Sequence, residues 1–151
     1  SIASKIASNH TYITSSSPEM VINEDGEKFW YLDSKRHRSD GPAIEYNNGR
    51  KEWYIDDKLH NENGPAIENM DGTKYWYING ILHREDGPAI EYSNGDKEWY
   101  LNGELHREDG PAKERANGNK YWYLNGNEIE YDPATWDHRV QESHVENIMN
   151  D

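Results

Sequence analysis

The sequence predicts a mainly β protein. The predicted architecture is a single-domain array of β-hairpin repeats, forming an elongated antiparallel sheet that is curled or twisted, with a C-terminal capping α-helix. Two observations carry this prediction. Tryptophan recurs every 23 residues, at Trp30, Trp53, Trp76, Trp99 and Trp122, and the tripeptide Gly-Pro-Ala keeps the same step from residues 41, 64, 87 and 110. Because no insertion breaks the period, the units are expected to stack on one another as in other repeat proteins.

The composition indicates how such a protein builds a core and which partners it excludes. Only 33% of the 151 residues are hydrophobic, but Trp (6) and Tyr (11) are abundant, so aromatic side chains must supply most of the buried area. The formal net charge is −13, which disfavours direct binding to nucleic acid or to anionic membranes. Cysteine is absent, which excludes disulfides and thiolate metal sites.

The repeats divide the chain into three segments. Residues 1–18 precede the repeats and are predicted to be a tail or an edge strand, with strand-forming residues at 11–14. Residues 19–130 hold five repeats with a period of 23 residues, of which the first and the fifth depart from the common pattern, as end repeats often do. Residues 131–151 have a different character and are predicted to form the capping helix.

The fourth repeat shows why each unit is read as β-structure. Two short strands, residues 89–92 and 97–101, are separated by a turn, and Asn102-Gly103 is typical of a two-residue type I′ hairpin turn. A register counted from these turns places Ile90 opposite Trp99. It predicts that the face carrying Trp99 is the more buried one, and that removing Trp76 costs more stability than removing Tyr100.

Helix signals begin at Asp132-Pro133, an N-cap residue followed by proline at the first helical position. A stripe of every fourth residue then follows, and an amphipathic helix is predicted from Pro133 to about Met149. Its expected role is to cover the open end of the sheet, where unpaired backbone groups would invite aggregation. Docking of a partner is the alternative role. The stripe consists of Trp136, Val140, His144 and Ile148.

A repeated histidine is the strongest candidate for chemistry, because the motif His-Arg-x-Asp combines a base, a cation and a carboxylate. Repetition argues against catalysis, since an active site needs one preorganised constellation and not several copies. We predict instead that each His stacks beside its Trp and bonds a neighbouring loop. No catalytic residue, metal site or cofactor is predicted, and the repeat core is expected to consist of the five repeat tryptophans with His37, His60, His83 and His106.

The acidic sheet is the candidate binding surface. Glutamate and tyrosine recur at fixed positions of the strands, and carboxylates beside aromatic rings suit a protein partner with a basic surface. A solubilising role for the same charges is the alternative interpretation. The candidate binding residues are Glu45, Glu68, Glu91, Glu98, Tyr54, Tyr77 and Tyr100.

The pattern Trp-Tyr-x-Asn-Gly-x-x-His-Arg-x-Asp-Gly-Pro-Ala over residues 99–112 resembles MORN-type repeats, which share the 23-residue period. It is closer to the variant repeats of bacterial antitoxin-component-like, bacteriophage and large-DNA-virus proteins. The resemblance covers residues 20–127 and departs from the MORN consensus in the Arg-Glu-Asp-Gly-Pro that follows His106. It implies stacked hairpins and a non-enzymatic binding or scaffolding role. Because the sequence shows no signal peptide and no apolar run long enough to span a bilayer, the default expectation is the cytoplasm of a bacterial or virus-infected host cell. An inhibitor, antitoxin-like or phage counter-defence protein would fit.

A second functional hypothesis is binding of carbohydrate or choline through the Trp/Tyr ladder. Aromatic rings with an acidic rim attract quaternary ammonium groups. The ladder loosely resembles the cell-wall-binding repeats of Gram-positive surface proteins, although those repeats have a different period and lack the His-Arg-x-Asp-Gly-Pro-Ala motif.

Overall fold

A computed structural model describes residues 17–150, so the strand predicted at residues 11–14 lies outside the described range. The described part is mainly β, with one C-terminal helix. The strands are β1 (Glu19–Ile22), β2 (Lys28–Leu32), β3 (Lys35–Arg36), β4 (Ile44–Glu45), β5 (Lys51–Glu52), β6 (Tyr54–Ile55), β7 (Lys58–Leu59), β8 (Ile67–Glu68), β9 (Lys74–Tyr75), β10 (Tyr77–Ile78), β11 (Ile81–Leu82), β12 (Ile90–Glu91), β13 (Lys97–Glu98), β14 (Tyr100–Leu101), β15 (Glu104–Leu105), β16 (Lys113–Glu114), β17 (Lys120–Leu124) and β18 (Asn127–Ile129).

One long antiparallel sheet runs through the whole array and does not close on itself. Its strand order is β1-β2-β4-β5-β8-β9-β12-β13-β16-β17-β18, with β3 beside β2. Three further hairpins, β6-β7, β10-β11 and β14-β15, leave this sheet in repeats two, three and four. A central repeat therefore contributes two hairpins, and the tryptophan lies between them, at the residue where one strand ends and the next begins. The predicted mainly β fold is confirmed.

The Asn-Gly turns have the predicted type I′ geometry. Asn102 and Gly103 both have positive φ, 51° and 80°, and Leu101 faces Glu104 across the turn. Asp56 and Asp57 adopt the same conformation in the second repeat, with φ of 49° and 66°. This turn matches the right-handed twist of the two strands, so it fixes the register of each second hairpin.

The register predicted at the other turn is wrong by one residue. Ile90 pairs with Glu98, not with Trp99. The loop contains three residues and not two, because Tyr92 N–H donates to the Asp96 carbonyl at 2.9 Å and Gly95, with φ of 96°, forms a bulge. A slip of one residue exchanges the two faces of a strand. Ile90 consequently shares a face with Glu98, and Trp99 lies on the opposite face.

Burial follows the corrected register. The cluster of Ala43, Ile44 and Tyr54 is buried in the second repeat, and Ile67 and Ile90 are buried at the equivalent positions further along. All five repeat tryptophans are only half-buried. The prediction that the Trp face is the more buried one is therefore wrong for the central repeats, because the three-residue turn places the buried isoleucines on the face opposite the tryptophans.

Backbone hydrogen bonds join each repeat to the next at two places. The Trp76 N–H donates to the Ala89 carbonyl at 2.8 Å, and the corresponding bonds run from Trp30 to Ala43, from Trp53 to Ala66 and from Trp99 to Ala112. The second hairpins are joined as well, since Gly103 N–H donates to the Leu82 carbonyl at 2.8 Å. Each repeat therefore depends on its immediate neighbours, as expected of a stacked array.

Helix α1 (Trp136–Asn150) covers the last repeat. Its Trp136 and Val140 pack with Leu124 in a buried cluster, which agrees with the predicted capping role. The Asp132 carboxylate accepts the Ala134 N–H at 2.9 Å, but a turn at residues 133–135 delays the helix by three residues relative to the prediction. The predicted stripe does not reach Ile148, which is 76% exposed. Within residues 17–150, no helix is long and apolar enough to cross a membrane.

Glu108 connects the last histidine loop to α1. Its carboxylate lies 2.8 Å from His106 Nε2 and 3.0 Å from His144 Nε2, and its carbonyl accepts the Trp136 indole N–H at 2.7 Å. Burial alone would raise the pKa of Glu108, but the hydrogen bonds from His106 and His144 outweigh burial, and the pKa lies below its ordinary value.

This lowered pKa predicts that α1 is held less firmly in acid. A carboxyl whose pKa is lower in the folded state adds stability above its unfolded pKa, and that stability is lost as the pH falls through the folded value. We expect hydrogen-exchange protection of the α1 amides to fall below about pH 4, near the ordinary pKa of a glutamate. In Glu108→Gln, the protection of the α1 amides should differ less between about pH 6 and about pH 3, since the titrating carboxylate is gone. Equal losses in both proteins would contradict the role given to this carboxylate.

Candidate binding grooves

The repeated histidines link successive repeats. In each, Nδ1 accepts a backbone N–H from the turn of the next repeat, for example from Asn102 to His83 at 2.9 Å. The other three bonds are Asp56 to His37, Asn79 to His60 and Asn125 to His106, at 3.1, 3.0 and 2.9 Å. The prediction that each His bonds a neighbouring loop is confirmed. Because Nδ1 is the acceptor, the ring proton lies on Nε2, which in three repeats faces the glutamate two residues later.

An arginine that directly follows the histidine stacks on the tryptophan, a contact that the sequence analysis missed. The guanidinium carbons of Arg38, Arg84 and Arg107 lie 3.9, 3.9 and 3.8 Å from the ring centroids of Trp30, Trp76 and Trp99. This is the geometry of a cation–π interaction. The sequence did contain an indication of this contact, because the Arg of His-Arg-x-Asp recurs eight residues after each of these tryptophans.

The rest of the loop holds the guanidinium in place. Arg84 donates from Nε to Asp86 Oδ1 at 3.1 Å, and from Nη1 to the Pro88 carbonyl at 3.0 Å and to Glu91 Oε2 at 3.3 Å. A Cβ added at Gly87 would lie 2.9 Å from the Arg84 guanidinium carbon, so a larger residue there would push the guanidinium away from this position. The Arg, Asp and Gly of Arg-x-Asp-Gly-Pro thus each have a structural role, and the proline position supplies a backbone carbonyl.

Three equivalent grooves lie between successive histidine loops. Each is lined by one tryptophan, and we name them the Trp53, Trp76 and Trp99 grooves. Their volumes are about 300, 790 and 630 Å³. Carboxylates line them with side chains that are 77–89% exposed: Glu62, Glu85, Asp86 and Asp109. The grooves therefore offer aromatic surface beside accessible negative charge, repeated at the repeat spacing.

The candidate binding residues from the sequence lie elsewhere, since none of them lines these three grooves. Glu45 and Glu91 face the stacked arginines Arg38 and Arg84, at 3.6 and 3.3 Å. Glu68 and Tyr77 are half-buried, and burial raises the pKa of Tyr77.

Glu98, Tyr54 and Tyr100 belong to buried polar networks. Tyr54 donates to Glu52 Oε1 at 2.9 Å, and Tyr100 donates to Glu98 Oε1 at 3.0 Å. Burial, followed by the hydrogen bond to Glu52, raises the pKa of Tyr54 to about 12. Burial and the charge of Glu98 raise the pKa of Tyr100 as well. These side chains hold the repeats together, and their polar atoms are engaged within the sheet.

Comparison with protein-family models finds no match, and comparison with curated protein sequences finds none either. The resemblance to MORN-type repeats therefore rests on the repeat residues themselves. Among residues 17–150, no group of three His, Asp or Glu side chains is arranged to hold a metal ion.

Proposed function

We propose that this chain is a non-enzymatic protein-binding module that engages a basic surface of a partner protein. The observation that supports this function best is the row of grooves, each combining a tryptophan with exposed carboxylates. Lysine and arginine side chains of a partner would find a rim of exposed carboxylates in each groove, and this attraction does not depend on the rings that already carry a guanidinium. An inhibitor of the antitoxin or phage counter-defence kind, covering the basic surface of a nucleic-acid-binding protein, would use such a row.

The charge of the whole chain supports the same proposal. A net charge of −13 attracts a basic partner over distance and accelerates encounter, while the grooves would fix the register of the complex. The carbohydrate or choline hypothesis is less well supported, because a guanidinium of the chain itself already stacks on Trp30, Trp76 and Trp99.

The proposal predicts that partner capture depends on the groove carboxylates. A tagged protein would be used to recover partners from bacterial lysate at low and at high salt, and recovery should fall at high salt. The rim variant E62Q/E85Q/D86N/D109N should lose the same partner already at low salt, because it removes four charges beside the grooves.

A matched variant provides the control. E24Q/D25N/D137N/E146Q also removes four charges, all from exposed residues that do not line the grooves. It should retain the partner. Equal losses in the two variants would show that total charge alone is responsible, and a partner whose recovery is indifferent to salt would contradict electrostatic capture.

A further inference from the structure

The second repeat lacks the guanidinium that the neighbouring repeats place on their tryptophan. Asn61 stands where Arg38, Arg84 and Arg107 stand in repeats one, three and four. In the fifth repeat, Tyr131 stacks on Trp122 instead, with ring centroids 3.7 Å apart and planes inclined by 12°. Among residues 17–150, Trp53 is thus the one repeat tryptophan without a cation or a ring stacked on it.

Part of the arginine position is kept in the second repeat, although Asn63 replaces the aspartate that accepts from the arginine Nε in the other repeats. Asn61 Nδ2 donates to the Pro65 carbonyl at 3.0 Å, as the arginines do to their prolines, so the loop has the same course. Gly64 is retained, and a Cβ there would lie 3.5 Å from Asn61, so the backbone is not covered by a cation. The Trp53 groove, of about 300 Å³, is lined by Trp53 and Asn61 and, from the first repeat, by Arg38.

The carboxylate of the arginine position is kept as well. Glu45, Glu91 and Glu114 pair with Arg38, Arg84 and Arg107 at 3.6, 3.3 and 3.0 Å. Glu68 holds the same place in the second repeat, and within the described part of the chain it forms no ion pair shorter than 4 Å. The second repeat therefore has the aromatic ring, the glycine and the carboxylate of a guanidinium site, but no guanidinium.

We propose that the second repeat binds an arginine side chain of the partner protein between Trp53 and Glu68, beside the Trp53 groove, in the position taken by Arg38, Arg84 and Arg107 in the other repeats. This proposal rests on the proposed function and names the residue type that the module recognises. A planar guanidinium fits better than other cations, because it stacks on the indole and at the same time donates hydrogen bonds to a carboxylate. A lysine ammonium stacks less well, and the quaternary ammonium of choline has no N–H to donate to the carboxylate.

The site can be tested without knowledge of the partner. The indole N–H signal of Trp53, assigned with Trp53→Phe, would be followed by NMR during titration with the peptide acetyl-Gly-Arg-Gly-amide. The same peptide with citrulline in place of arginine keeps the shape and removes the charge. We expect saturable binding of the arginine peptide and at least tenfold weaker binding of the citrulline peptide, with lysine and choline in between.

Two variants distinguish the site from general attraction to an acidic surface. N61R/N63D gives the second repeat the arginine and aspartate of its neighbours, and its own guanidinium should abolish the response of Trp53. The control N63D adds the carboxylate alone and should keep it. Equal binding to N61R/N63D and to the natural sequence, or equal binding of citrulline, would overturn the proposal. Salt-dependent capture of a partner by the rim carboxylates would still stand in that case.

Discussion

Replacing Tyr54 with alanine is expected to lower the free energy of unfolding by about 3–5 kcal/mol, the range for removing a large aromatic side chain from a packed core. Tyr54 is 8% exposed and packs on Ala43 and Ile44. Its hydroxyl donates to the buried Glu52, and the Arg36 guanidinium lies 4.1 Å from its ring centroid. The substitution therefore removes apolar contact, a hydrogen bond to a buried carboxylate and a cation–π contact together. Urea denaturation would measure the loss.

The neighbouring residue is the control for this prediction. Trp53 has a larger side chain, but it lies on the more open face and carries no stacked cation, so Trp53→Ala should cost only about 1–2 kcal/mol, as is usual for partly exposed positions. The loss of stability in Trp76→Ala should lie between those of Trp53→Ala and Tyr54→Ala, since this substitution also removes the ring on which Arg84 stacks. This order reverses the expectation from sequence, in which the tryptophan substitution was the more damaging. If Trp53→Ala proved as costly as Tyr54→Ala, the face assignment of the structure would be contradicted.

Turn chemistry explains how much of the fold could be predicted. Asn102-Gly103 has two residues that tolerate positive φ, which defines a type I′ turn and the register that follows. At Ser93-Asn94-Gly95 only the glycine has positive φ, and the sequence is compatible with a loop of two or of three residues. The choice depends on pairing with the neighbouring repeats, where Ile90 also pairs with Tyr75. That information is not local, so the face assignment derived from the local sequence was wrong.

The grooves were predictable in part. The histidine bonds to neighbouring loops were foreseen, because a polar residue repeated beside a turn suggests a contact between repeats. The stacking of Arg84 on Trp76 was not, although the two residues recur eight positions apart. Which side chain covers a ring depends on the path of the intervening hairpin, and the path depends on the register. The binding residues expected on the strands were chosen with the wrong register.

Removing the arginine that pairs with the buried Glu98 is the second substitution expected to lower the free energy of unfolding strongly. Its carboxylate is 6% exposed and accepts from Tyr100 and, at 3.2 Å, from Arg115, which also contacts Asp96 at 3.3 Å. Arg115→Met would leave a buried carboxylate with a hydroxyl as its remaining partner. Loss of one member of a buried ion pair costs about 3–5 kcal/mol. We expect a loss of about 3 kcal/mol, because Arg115 itself is partly exposed.

The other repeats suggest a second substitution that should restore the stability of this variant. Repeats three and five carry tyrosine, Tyr75 and Tyr121, at the position of Glu98, so the stacked hairpins accept an aromatic residue there. The double variant E98Y/R115M removes the buried charge together with its partner and should unfold within about 1 kcal/mol of the natural sequence, since replacing a whole buried pair by packed side chains is often neutral. A double variant as unstable as Arg115→Met alone would show that Arg115 stabilises the array by packing and not by neutralising Glu98.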